Sequence, residues 1–212
     1  MTKTPSKKVL TISLATIFGI AMIVSPIGAE AMGSFLSIAK LKIDMNSDEI
    51  KKAEIKTEGK IPSTAESSWY GYVVLTNHGD LLAATTHDGF CDSETQTAAC
   101  EGTWHIHMVT AAENELCESD DNANGLSIGR LSFEENGELD IKNKKVKFSD
   151  ASRAHLADFT NPLNAEDDAG FTLGQPDGVV ASFEIRPIIT GGELQAVCLD
   201  VTDALEPSKF KS

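Results

Sequence analysis

Ala39, Leu41, Ile43 and Met45 alternate with Lys40, Lys42, Asp44 and Asn46. A period of two predicts a strand with one buried face. Asn46 then stands three residues ahead of Glu49, and Ile50, Ala53 and Ile55 follow at spacings that predict a short amphipathic helix. The polar stretch from Gly59 to Ser68, with Pro62 inside it, reads as a linker. Residues 32–68 are therefore expected to form a strand, a helix and a stalk ahead of the main domain.

Strand and turn signals become dense from Trp69 onward. Trp69 to Thr76 is rich in aromatic and β-branched residues, Asn77-His78-Gly79-Asp80 is a turn, and Leu81 to His87 returns, which makes a hairpin. Thr103 to Thr110 reads as another strand. Leu126 to Phe133 is expected to pass through Asn136-Gly137, a dipeptide suited to the positive φ of a tight hairpin turn, into Glu138 to Lys142. A second tight turn near Asn143 leads to Val146 and Phe148. Val179, Ala181, Phe183 and Ile185 alternate with Val180, Ser182, Glu184 and Arg186, and Gly191-Gly192 turns the chain into Leu194 to Val201. Residues 150–175 read as a long polar connection with one helical turn after Ser152. The fold expected is all-β, an antiparallel β-sandwich of immunoglobulin-like or jelly-roll-like form with about eight strands over residues 69–206, followed by a tail over 207–212. No alternation of strands and helices points to a parallel sheet.

Charge and the N-terminus narrow the setting. The chain of 212 residues carries 32 Asp and Glu against 18 Lys and Arg, a net charge of -14. That excludes a nucleic-acid surface, which needs clustered cations. Lys3, Lys7 and Lys8, an apolar stretch from Val9 to Val24, Pro26 and the small residues around Ala29-Glu30-Ala31 have the order of a secretory signal peptide. Residues 1–31 are read as that signal or, if uncut, as an anchor helix, since 9–29 carry no charge. Cleavage after Ala29 removes three lysines and no acid, which makes the mature chain more acidic still. Such a surface favours solubility and cationic partners or metal ions. Envelope or membrane association would run through the N-terminal segment.

All four cysteines, Cys91, Cys100, Cys117 and Cys198, follow the signal, an even count in a compartment where disulfides persist. The pairing expected is Cys91 with Cys100 and Cys117 with Cys198. No C-x-x-C spacing supports a thiolate metal site.

Candidate chemistry centres on His105-Ile106-His107, because residues two apart on a strand share a face and leave Trp104, Ile106 and Met108 on the opposite, core-facing side. His87, at the end of the preceding strand, supplies a third imidazole if the two strands are neighbours. Three imidazoles suit zinc or copper. The tripeptide resembles the HIH of extracellular CHRD-type domains, but three residues without flanking glycines establish no membership. Cys100, His105 and Met108 have the order of a blue-copper ligand loop, although about half of the chain follows where only a last strand should. Asp120, Asn122, Asn124 and Gly125 match the first half of a calcium loop, and Leu131 stands where an EF-hand needs a glutamate. Gly125 to Gly129 spells G-x-S-x-G without the strand-to-helix context of a nucleophile elbow. The pairs Asp167-Asp168 and Glu134-Glu135 read as solvated acids.

These readings add up to an exported acidic module that binds without catalysis or associates with the cell envelope. It would coordinate a metal: zinc or copper first, calcium second. A metal-dependent enzyme working through the histidines and an anchored structural surface protein are the alternatives.

Overall fold

The computed structural model describes residues 34–46, 49–64, 68–77, 79–93, 102–120, 122–132, 137–152 and 176–205. Among them the chain forms ten strands and one 3-10 turn: β1 (Ile38–Asn46), β2 (Glu49–Thr57), β3 (Tyr70–Thr76), β4 (Asp80–Thr86), β5 (His105–Glu113), β6 (Leu126–Leu131), β7 (Glu138–Lys142), β8 (Lys145–Ser152), β9 (Pro176–Thr190) and β10 (Glu193–Leu205), with the turn at Glu115–Cys117. The all-β, antiparallel expectation holds. The open sandwich does not: β10, β6, β5, β4, β3 and β9 close into a six-stranded barrel, and β1, β2, β8 and β7 form a separate four-stranded sheet.

Closure depends on the two longest strands. β9 and β10 pair along almost their whole lengths, from Glu193 opposite Thr190 to Leu205 opposite Val180. β9 also pairs with β3, Tyr70 opposite Glu184 and Val74 opposite Val180, and β10 meets β6 at Cys198 opposite Ser127. A hairpin of this length has edges on both sides to satisfy, and joining them to β3 and β6 leaves the barrel without an open edge.

Two cores result. Val73, Leu81, Ala83, Val109, Phe183 and Leu199 line the barrel lumen. Tyr72, Leu82, Ile106 and Met108, on the outer face of β3 to β5, pack against Ile50, Ile55 and Phe148 of the sheet. β3 is thus buried at every position, which is why its sequence is a nearly continuous apolar run rather than an alternation. Polar ties join the layers: the Tyr72 hydroxyl donates to Phe35 O at 2.7 Å, and Ile38 N donates to Asp203 Oδ2 at 2.7 Å.

Three expectations are corrected. The helix predicted over Ile50 to Ile55 is strand β2. The β1–β2 register slips by one residue between Asp44 opposite Lys52 and Met45 opposite Ile50, so Ile50 and Ala53, three apart, are both fully buried. A bulge that inserts one residue turns a period of two locally into a helical-looking spacing. Residues 34–64, expected to include a stalk, contribute β1 and β2 to the sheet, where β2 pairs with β8. The hairpin expected at Asn136-Gly137 is a crossing, because β6 belongs to the barrel and β7 to the sheet. The other turns are as expected: Asn143 takes φ 55° between β7 and β8, and Gly191 and Gly192 take 65° and 87° between β9 and β10. The N-terminal signal or anchor over 1–31, Glu134-Glu135, Asp167-Asp168, the tail over 207–212 and nearly all of the connection over 150–175 lie outside the described residues.

Candidate metal centre

β4 and β5 pair with Thr85 opposite His105 and Ala83 opposite His107. Leu81, Ala83 and Thr85 face the lumen, so His105 and His107 do too, and His87 continues the same alternation just past the end of β4. The three imidazoles expected to converge do so, but inside the barrel mouth rather than on a polar outer face. His105, His107 and His87 are 1, 2 and 4 % exposed. Ile106 and Met108, on the opposite face, are fully buried against the sheet as expected.

The structure adds a fourth member. The chain after β4 folds over the barrel mouth and brings in Asp92, so that one donor atom from each of His87, Asp92, His105 and His107 lies within 4.8 Å of the others. His105 Nε2 is 3.1 Å from His87 Nε2 and 3.2 Å from Asp92 Oδ1. Asp92 Oδ2 lies 3.1 Å from His87 Nε2 and 3.5 Å from His107 Nε2. Asp92 carried no signal in the sequence, being one acid among many, five residues past His87 in an irregular loop.

Neighbouring groups fix the rings. His105 Nδ1 donates to Thr103 O at 2.8 Å, and His107 Nδ1 donates to Ser132 O at 2.8 Å. A carbonyl only accepts, so each Nδ1 carries the proton, and in the neutral ring the Nε2 lone pair is left facing the centre. The Thr85 hydroxyl, 3.1 Å from His105 Nε2, is placed to donate to it. His87 packs against Trp69 with ring centres 5.0 Å apart, and Trp69 Nε1 donates to Asp88 Oδ1 at 3.0 Å. The rings of His87 and His105, and of His105 and His107, meet edge to face at 4.8 Å.

Charge follows from the same contacts. Burial pushes the Asp92 carboxyl up, but with the imidazoles protonated the charge on His107 and hydrogen bonds from His105, His107 and His87 outweigh it and hold the group far below the usual carboxylate range. Burial pushes the His105 imidazole down, against its hydrogen bond to Asp92, and the neighbouring His107 and His87 add to the fall. The centre thus gathers a carboxylate and imidazole lone pairs at one buried point, an arrangement that calls for positive charge, as protons or as a metal ion. Tetrahedral donors around zinc stand about 3.3 Å apart; the nearest contacts in the cluster are 3.1 to 3.5 Å, and the four donors lie within 4.8 Å of one another. Imidazole and carboxylate donors suit zinc or copper.

The expected calcium ligands do not converge. Asn122 is buried, and its side chain is taken up by the protein: Oδ1 accepts from Leu126 N at 2.7 Å, and Nδ2 donates to Leu126 O at 3.0 Å and Asp200 Oδ1 at 3.2 Å. Asp120 and Asn124 stay exposed. Asp200 in turn accepts from Arg186 Nε at 2.8 Å, and Arg186 Nη2 donates to Cys117 O at 3.3 Å. The loop is therefore a structural tie beside the Cys117–Cys198 disulfide, which has formed as expected. Cys91 is also disulfide-bonded, which anchors the loop next to Asp92; its expected partner, Cys100, lies outside the described residues, and the blue-copper order of Cys100, His105 and Met108 lies partly outside them with it. Met108 faces the sheet rather than the histidines. The G-x-S-x-G stretch lies largely in strand β6, where Ser127 Oγ donates to Ala112 O at 3.1 Å, with no elbow.

The disulfide is consistent with an extracytoplasmic location, and no helix among the described residues is long and apolar enough to cross a membrane. Comparison with protein-family models, with curated proteins and with solved structures finds no match to this chain.

Proposed function

We propose that this protein is an exported, non-enzymatic metal-binding module that holds one zinc or copper ion through His87, His105 and His107, with Asp92 as the fourth donor. The observation that carries the reading is the convergence of three imidazoles and a carboxylate within 4.8 Å, with two of the rings turned by backbone carbonyls so that Nε2 faces the centre. Four donors from the chain complete a tetrahedral zinc shell and leave no position for a reacting water, which favours holding the ion over catalysis. The acidic surface draws cations toward the site. The signal-like N-terminus and the cysteine pairing support export, and protein recovered from its native compartment is expected to begin at Glu30 or Met32.

Elemental analysis after equilibration with zinc or copper, followed by dialysis, tests the site. One ion per chain is expected, together with a higher Tm; at a free-ion level of one hundred times Kd the added stability is about 2.7 kcal/mol. His105→Ala with His107→Ala abolishes both effects. Wild-type protein that retains neither metal, and whose Tm ignores both, sinks the reading.

A further inference from the structure

The barrel lumen is not filled. It encloses a cavity of about 120 Å³ whose wall is almost entirely apolar, built by Val73, Ala83, Val109, Ile128, Phe183 and Leu199 among others. Protein interiors are packed to the density of organic crystals, and a void costs stability in proportion to its volume. A space of this size at the centre of a closed barrel is thus a departure from ordinary core packing. Its wall offers almost nothing to hydrogen-bond a water molecule, and a dry apolar cavity of about 150 Å³ is known to admit benzene or xenon.

The cavity also has an approach. Its lining continues from the fully enclosed strands to Trp69, Phe90 and Cys91 at the barrel mouth, where Trp69 and Phe90 are half-buried and Cys91 is exposed. Trp69 and Phe90 meet edge to face at 5.4 Å and form the aromatic part of that end of the lining. His87, His107 and Asp92 line the same end, so any molecule in the lumen lies beneath the candidate metal centre.

We propose that the lumen is a binding site for a small uncharged apolar molecule of about the bulk of a benzene ring. An anion is disfavoured twice, by the dry wall and by the Asp92 carboxylate at the mouth. The lumen site does not need the ion, because its wall is almost entirely apolar side chains and His87, His107 and Asp92 border it only at the mouth.

The test uses benzene as probe and benzoate as its charged counterpart, on the mature protein with and without zinc. Benzene is expected to raise Tm saturably in both forms, and benzoate is not. Ala181→Leu, which adds bulk to the wall away from the histidines, weakens benzene binding about tenfold or more while metal content is unchanged; Ala111→Leu serves the same purpose should the first variant fail to fold. No response to benzene up to its solubility in the folded wild-type protein overturns the proposal, and so does equal binding of benzoate. Zinc retained without a benzene response removes the lumen site and keeps the metal reading; a benzene response without zinc does the reverse.

Discussion

Asn122 shows how much one side chain can hold in this protein. Its amide satisfies Leu126 N, Leu126 O and Asp200 Oδ1 at once, and it is 7 % exposed, so water cannot replace it. Asn122→Ala is expected to cost about 2–3 kcal/mol, since buried partners left unpaired lose their full solvation, and urea denaturation reads this directly. A change below 0.5 kcal/mol, the scatter of ordinary surface substitutions, would mean that the loop does not depend on this residue. An Asp-x-Asn-x-Asn-Gly string looks the same whether its amide turns outward to a cation or inward to the backbone. Here Leu126 and Asp200 decide the direction.

Within the strands, Gly71 of β3 leaves no room for a side chain. A Cβ there would lie 2.6 Å from Phe183 Cζ and 2.7 Å from Ala84 O. The ring could turn, but the backbone carbonyl could not, so Gly71→Ala is expected to destabilise by about 1–3 kcal/mol, read as a lower midpoint of denaturation. The β9–β10 pair carries a pH dependence of its own. Glu184 stands opposite Asp200, and its carboxyl is raised above 4.5 by burial first and by Asp200 second. A raised acid binds its proton more tightly in the fold than in the unfolded chain. Its contribution is therefore greatest below the unfolded value and is lost as pH rises through the folded one. Glu184→Gln should then match the wild type at about pH 4 and exceed it in Tm at about pH 7. A constant difference across that range would show that Glu184 does not titrate differently in the fold.

At the scale of the whole molecule, the Cys117–Cys198 bridge spans 81 residues of sequence and staples the strand that closes the barrel. Restricting so long a loop in the unfolded chain is worth about 4 kcal/mol, so the double variant Cys117→Ala/Cys198→Ala is expected to lose stability of that order in guanidinium denaturation. The bridge also sits where β10 meets β6 through the Cys198–Ser127 pair. Hydrogen exchange in the variant is accordingly expected to rise first in β6 and in β10 around Cys198, and uniform exchange across all strands would place closure elsewhere.

Local backbone geometry was legible in the sequence. The period of two marked β1 and β9, the aromatic and β-branched run marked β3, the Gly191-Gly192 and Asn143 turns gave two hairpins, and the placement of His105 and His107 on one face followed from strand geometry whatever the fold. The pairing of Cys117 with Cys198 was one of the three that four cysteines allow, favoured because it ties the middle of the chain to its last strand. Tertiary structure decided what depends on partners far along the chain: that the sheet closes, that the histidine face looks into a barrel, that β7 leaves β6 for β8, and that Asp92 joins the histidines. A strand's alternation records that it has two faces; which of them is buried, and against what, depends on strand pairing summed over the whole molecule. Asp92 reaches the site because a loop without periodicity folds over the barrel mouth, and nothing in a loop's sequence says where it comes to rest.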